Sequence, residues 1–339
     1  MNEPIVTSPL FNSSHLNFDY AFGKPEITAG FRTFPEDFNV DEDLGFEPSG
    51  EGEHLVVYIE KENENTHWVA EKLAHYFSIK VKDVGFCGLK DRHAVTTQWF
   101  SLYLPKLLDE PDWSEFIRSS ELHAKVLSFS RHNKKLRRGE HKGNRFSITL
   151  RSVFSNEEEK ITLEERINQV KENGVPNYFG EQRFGRDANN LNQVQEWVDA
   201  KYKIKNSKKR SIIYSSARSY IFNRVLSQRV LEGNWNTLLE GDIEQVGSAT
   251  GPLWGRGRSS TQGTSAEFEA RVLTPLKEWC DALEHVGLNQ ERRTFVLRPQ
   301  SMSHQFEGED LQLSFSLAPG QYATSVLREI SQLNNLARV

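Results

Sequence analysis

Gly88-Leu89-Lys90-Asp91-Arg92-His93-Ala94-Val95-Thr96-Thr97-Gln98 separates two apolar runs, 84–87 and 99–104. The flanking runs carry Val, Phe, Trp and Tyr, so they predict strands, and the polar stretch predicts the loop between them. Loops held by a rigid sheet are where catalytic side chains concentrate. Asp91 is the one acid of this loop and stands between Lys90 and Arg92. Neighbouring cations favour the charged carboxylate, which is the nucleophilic form. Taken alone, an aspartate in a basic loop is more often solvated than catalytic. The longer pattern along the chain changes that balance.

Working outward, strands are predicted over 33–41, 54–60, 122–131 and 145–151, the last from the alternation of Phe146, Ile148 and Leu150. Asn65 or Thr66 can cap a helix that carries Val69, Leu73 and Phe77 on one face. A helix is expected over 155–172, with Thr162 and Glu165 at capping-box spacing and Gly174 at its end. Composition changes there. Residues 174–190 are rich in Gly, Asn and aromatics, helices are expected over 215–231 and 265–285, and the Gly-rich 247–263 reads as a loop. Strand alternation returns at Leu311, Leu313, Phe315 and Leu317, and a last helix is expected over 323–334. Residues 1–23 show no periodicity and read as a loose tail. Two sheet-forming parts flanking a helix-rich centre imply a discontinuous domain with one insertion.

The order G-x-K-D-x-x-A-V-T-x-Q-W resembles the signature of the tRNA pseudouridine synthase D family. Phe34-Pro35-Glu36-Asp37-Phe38-Asn39-Val40 and the following 45–54 resemble that family's N-terminal stretch. Gly143-Asn144-Arg145-Phe146 resembles its G-N-x-F element, and 175–185, V-P-N-Y-F-G-E-Q-R-F-G, its most distinctive signature. Residues 317–325 resemble its C-terminal element. The region least like the family is 235–300. The resemblance implies an α/β (α+β) fold. A pseudouridine synthase catalytic core with a mixed or antiparallel sheet would comprise 1–173 and 298–339. A helix-rich, family-specific domain would be inserted at 174–297.

Composition is compatible with this. At 339 residues the chain can hold two domains. Its mean hydropathy of −0.61 and lack of long apolar runs predict no membrane span. No secretory signal is read in the first twenty residues, which contain no Lys or Arg. The cysteines are Cys87 and Cys280, without CxxC spacing, and no HExxH occurs. These features predict a reducing compartment, no disulfide framework and no metal. A net charge of −5 argues against nucleic acid until its placement is considered. Arg131, Lys134, Lys135, Arg137, Arg138, Lys142 and Arg145 face one acid, Glu140, and Lys201, Lys203, Lys205, Lys208, Lys209 and Arg210 form a second basic run. Residues 36–64 are crowded with acids and hold Lys61 as their only cation. Such segregation can bind phosphate locally on an acidic protein.

Pseudouridine formation breaks the N1–C1′ bond of uridine and joins C5 to C1′. There is no redox change, so no cofactor is expected. The resemblance assigns the carboxylate to Asp91. Two routes stay open, attack on C1′ and abstraction of the 2′ proton to give a glycal. The family's basic residue six positions before the Phe of P-E-D-F is usually Lys and is Arg32 here. This cation is expected to pair with Asp91 and keep it ionised, and the change to Arg keeps the charge but is not neutral. Phe38 and Phe146 match positions lining the base pocket, Lys90 belongs to the substrate loop, and Asn144 offers a donor and an acceptor on one amide. Phe146 stands where many pseudouridine synthases have Tyr and has no atom to accept the C5 proton, for which Asp91 is a candidate. Tyr322 stands where the family usually has Phe. Lys134, Lys135, Arg137, Arg138 and Arg183 are the expected RNA contacts. The resulting expectation is a cytoplasmic, monomeric, cofactor-free isomerase acting on tRNA, at uridine 13. A non-catalytic RNA-binding protein would use the same basic segments but would not need Asp91. A glycosidase or nuclease would want paired carboxylates or metal-binding acids, and the loop has one acid.

Overall fold

Alternation of apolar and polar residues builds most of the strands. In Phe38–Asp43 (β2), Phe38, Val40 and Glu42 are buried while the residues between them are half-exposed. The other early elements are β1 (Thr28–Phe31), β3 (His54–Glu62), α1 (Thr66–Tyr76), β4 (Val84–Phe86), β5 (Val95–Tyr103), α2 (Trp113–Ser120), β6 (Ala124–His132) and β7 (Gly143–Arg151). The structure, a computed structural model, describes residues 10–106, 109–200 and 203–336. Lys201 of the second basic run therefore lies outside the described residues.

The chain divides into two units. The first, the sheet unit, comprises 26–164, 299–323 and the residues from 331. Its sheet runs in the order Gln300–Glu307, Asp310–Leu317, β7, β2, β5, β3, β6. Only β2 and β5 are parallel neighbours along this path. Gly143 opens β7 beside Leu317, where an added Cβ would lie 2.5 Å from the Leu317 carbonyl oxygen. Glycine is required there by the close approach of two backbones. Helices α1 and α2 pack Val69, Leu73 and Phe116 against Val57, Ile59, Phe100 and Leu102 of β3 and β5. Asn65 caps α1 by accepting from Trp68 N at 2.8 Å.

Several expected boundaries move for local reasons. The strand expected over 33–41 is interrupted by a 3₁₀ turn at Pro35–Asp37. Pro35 fixes its φ, and the Asp37 carboxylate accepts from Phe34 N at 3.0 Å. The helix expected over 155–172 runs Glu157–Asn173 and is capped earlier than Thr162. Asn156 Oδ1 accepts from Glu159 N, and Glu159 accepts from Ser155 N. The last helix, expected to 334, stops at Ile330, and Gln332–Asn335 becomes a strand parallel to β1.

The second, helical unit comprises the residues up to 25, 165–298 and 324–330. The helix expected over 215–231 starts at Ser207, capped by Asn206, and so takes in Lys208, Lys209 and Arg210. The helix expected over 265–285 is broken at Thr274–Leu276, where Pro275 cannot continue it. The region expected as a loop over 247–263 contains the strand Ser248–Leu253, paired with Glu291–Thr294, so this unit has a small sheet as well as helices. Residues 10–25 are no loose tail. Leu16 and Phe18 are buried, and Phe18 stacks on Tyr178 at 5.3 Å.

Candidate active site

The loop that carries Asp91 is pinned by buried polar side chains. Gln98 of β5 donates to Gly88 O at 2.6 Å, and Thr66, the first residue of α1, donates to Gln98 Oε1 at 2.9 Å. Lys90 N donates to the same Thr66 hydroxyl at 3.0 Å. Gln98 and Thr66 are buried, so these bonds have no competing water. They leave the Asp91 side chain 35% exposed at the rim. Arg32 meets it there, with Nη2 3.1 Å from Oδ2, and is itself only 8% exposed. The expected Arg32–Asp91 pairing is thus present as geometry. Arg32 has φ 56°, a left-handed backbone unusual for a residue with a Cβ. Its guanidinium lies 4.2 Å from the Phe38 ring centroid and 4.9 Å from that of Phe31. The side chain is held against an aromatic wall with its charged end turned to Asp91.

That wall continues across the sheet. Phe38 is 2% exposed and lies edge-on to Phe146 at 6.0 Å, and Phe146 stacks on Phe315 at 5.5 Å. Of the two expected base-pocket rings, Phe146 is half-exposed and Phe38 is covered. Phe38 therefore supports Arg32 and Phe146, and Phe146 is the ring that a base could reach.

Lys90 does not extend into solvent. Its ammonium donates to Glu42 Oε2 at 2.5 Å and to Asn144 Oδ1 at 2.7 Å. A lysine can only donate, so the Asn144 amide must turn its oxygen toward Lys90. Asn144 Nδ2 lies 3.3 Å from His141 Nε2. With its oxygen on Lys90, the Asn144 amide has only N–H groups to offer His141, and burial, opposed by Glu42 and aided by Lys90, lowers the His141 pKa from its ordinary value. One Asn144 N–H is left beyond the His141 contact. Glu42, fully buried, also accepts from Trp99 N at 3.1 Å.

The family model for tRNA pseudouridine synthase D matches residues 17–203 and 244–330. The tRNA pseudouridine synthase D of Cellvibrio japonicus is 47% identical over 323 residues, covering 94% of each chain. That of Aeromonas hydrophila is 44% identical, covering 92% of this chain and 93% of the relative. The chain belongs to the tRNA pseudouridine synthase D family. It is an isomerase of the pseudouridine synthase class. Its fold also matches a crystal structure described as tRNA pseudouridine synthase D from Methanosarcina mazei, with a TM-score of 0.68 and 22% identity, covering 94% and 97% of the two chains.

Within this pseudouridine synthase fold the remaining expected residues fall in three places. Tyr322 is half-buried in the turn after Asp310–Leu317, whose last residue is opposite Asn144. Arg183 is half-buried in the helical unit, 5.6 Å from the Phe179 ring centroid. Of the basic loop, Lys135 donates to Lys82 O and Arg138 lies 4.5 Å from the Phe86 ring centroid. Lys134, Arg137 and Arg138 are exposed. Among the described residues no cluster of His, Cys, Asp and Glu could hold a metal, and no helix is long and apolar enough to cross a membrane. Glu42, Gln98, Thr66, His141 and Lys61 are the site neighbours that sequence reasoning did not single out. Lys61 did leave a signal, as the one cation in an acidic stretch.

Proposed function

We propose that the chain converts a uridine of tRNA, at position 13 by family resemblance, to pseudouridine with Asp91 as the nucleophile. The observation that carries the reading is a half-exposed carboxylate held by a buried guanidinium, Arg32, that stacks on the aromatic wall. The carboxylate attacks C1′ and the N1–C1′ bond breaks, its electron pair leaving on N1. The base turns, C5 joins C1′, and the Asp91–C1′ bond breaks. Asp91, released as carboxylate, accepts the C5 proton, because Phe146 has no atom to do so, and this proton is passed on to N1, which regenerates the carboxylate. Nothing is oxidised or reduced, so no cofactor enters the scheme. Arg32 offsets the charge of the departing carboxylate.

Phe146 stacks on the base, and the remaining Asn144 N–H donates to a uracil carbonyl. Cytosine presents an amine at position 4, so the locked amide favours uracil if that edge faces it. The sheet unit does the chemistry. The helical unit, which holds the insertion expected at 174–297, contributes RNA contacts that include Arg183. The enzyme works as a cytoplasmic monomer. The test is incubation of unmodified tRNA transcripts with the protein, without added cofactor or metal, followed by mapping of pseudouridine. A product at position 13 made by the wild type and not by Asp91→Asn supports the reading. A modified uridine elsewhere overturns the target, and product from Asp91→Asn overturns the nucleophile.

A further inference from the structure

Lys61 lies on β3, opposite Thr96 of β5 and Ala124 of β6, and is 1% exposed. Lysine is almost never fully buried unless paired. Here the ammonium has no carboxylate oxygen within 4 Å among the described residues. Its acceptors are two backbone carbonyls, Glu64 O at 2.5 Å and Asp91 O at 3.5 Å. The charged groups facing it are Asp91 and Lys90 from the loop and Glu64 from the turn after β3. The cross-strand Thr96 hydroxyl is buried without a partner. A buried ammonium costs several kcal/mol of lost hydration unless opposing charge offsets it. Of the two acids, Glu64 gives it a main-chain contact, and the Asp91 charge is the larger electrostatic support.

We propose that Lys61 is a positioning residue for the reaction, holding the Asp91 main chain from within the sheet while Arg32 holds the carboxylate from the rim. The assignment rests on Asp91 as nucleophile. Two cations, Lys61 on β3 and Arg32 just after β1, then fix one short loop at both its backbone and its side chain. The reacting oxygen depends on both for its place, and a displacement of about 1 Å can cost on the order of 100-fold in rate. Burial drives the Lys61 pKa down from its ordinary value to about 8, with Asp91 opposing the fall. The holding form is the protonated one, so the contact weakens as pH rises through that value.

The experiment is single-turnover modification of an unmodified tRNA transcript across the neutral to alkaline range, with wild type, Lys61→Met, Lys61→Arg and Asp91→Asn. Lys61→Met removes the charge and keeps most of the stem. It should fold, bind tRNA as the wild type does, and lose about 100-fold in kcat with little change in KM. The wild-type rate should fall above pH about 8. Lys61→Arg carries a cation that does not titrate there and should lack that fall. A Lys61→Met rate within about threefold of wild type, against the loss of about 100-fold expected from misplacement, overturns the assignment. If Lys61→Met does not fold, a wild-type profile flat through that pH, or a fall that Lys61→Arg leaves in place, overturns it equally. Turnover by Asp91→Asn is a separate failure, of the nucleophile and not of Lys61.

Discussion

In the helical unit Arg229 and Asp242 meet at 2.8 Å with side-chain exposures of 1% and 2%, whereas in the sheet unit Arg32 meets an Asp91 that is 35% exposed. The Arg229 pair is closed on itself. Asp242 also accepts from Leu239 N and Ser265 Oγ, and Arg229 donates to Thr237 O, so every bond ties down the 232–243 segment. Arg292 and Glu269, at 2.6 Å, form a second pair of this kind. The Arg32 pair is open on one side, Lys61 of β3 reaches the main chain of the same loop, and the loop's own Lys90 is held by Glu42. Closed pairs serve the fold. A pair that leaves a carboxylate oxygen at the rim keeps one interaction in reserve for a ligand.

The sharpest way to break this contrast is Asp91→Asn. The side chain keeps its size and a hydrogen-bond acceptor for Arg32 but loses the charge. The variant should fold, bind tRNA and form no pseudouridine in a single-turnover assay. Measurable turnover would make the Arg32–Asp91 pair another structural contact.

Next comes a matched pair of arginine deletions. Arg229→Ala strands a buried Asp242 and should cost about 3–5 kcal/mol in urea unfolding while sparing the chemistry of the protein that remains folded. Arg32→Ala leaves a carboxylate that water can reach, so its stability cost should be the smaller of the two. Its kcat should fall by about 100-fold, since the reacting group loses its alignment. Arg32→Lys, which installs the usual family residue, should recover much of that loss. Equal losses of stability in Arg32→Ala and Arg229→Ala would erase the distinction between open and closed pairs.

A third buried charge in the helical unit has a pH signature. Glu329 is fully buried and accepts from Ala21 N at 3.0 Å. Burial raises its pKa from 4.5 to about 7. Between those values the native state binds more protons than the unfolded state, so stability falls as pH rises through the window. Glu329→Gln keeps an oxygen for Ala21 N and cannot ionise. It should match wild type near pH 4 and become more stable by up to about 3 kcal/mol above neutrality. Paired thermal melts at acid and neutral pH would show a gain that grows with pH. A constant offset would mean that the carboxyl is not held protonated.

The sequence was most informative where chemistry and periodicity coincide. The β7 alternation, the Asn65 cap and the loop around Asp91 could be read directly because each depends on residues close in the chain, but the loop is shorter than expected, since Val95–Gln98 already belong to β5. The pairing of Arg32 with Asp91 came through the family pattern, since nothing local relates two residues so far apart. The Lys90–Glu42–Asn144 network was hidden for the same reason. It joins β2, the loop and β7, and exists only once the sheet registers are set. The strand Ser248–Leu253 was obscured by Gly251 and Pro252 within it and Gly247 before it. Gly251 is there because an added Cβ would lie 2.4 Å from the Phe295 ring, so a residue that reads as a turn signal is a packing requirement.

The smallest effect expected is within the basic loop, where the same contrast between engaged and open charge recurs at the surface. Arg131 donates to Leu104 O, Arg145 to Asp41, and Lys142 lies 3.7 Å from an Asp43 oxygen. Lys135 is tied to Lys82 O, and Arg138 is laid on Phe86, where burial lowers its pKa. Lys134 and Arg137 are exposed, as is Arg138 outside its ring contact; Lys134 lies 6.0 Å from the Phe46 ring centroid, and neither Lys134 nor Arg137 has a carboxylate within ion-pair distance among the described residues. Each phosphate contact on single-stranded nucleic acid contributes about 0.7 to the slope of log affinity against log salt, and on a duplex about 0.9. Lys134→Ala with Arg137→Ala should therefore flatten the tRNA-binding slope by about 1.5. Lys135→Ala with Arg138→Ala should change it less, because those groups must first leave protein partners to reach a phosphate. Filter binding of one tRNA transcript at several salt concentrations separates the two double variants. Equal slopes for both would show that the contacts seen in the free protein do not decide which cations meet the RNA, and an unchanged slope in both would place the RNA away from this loop.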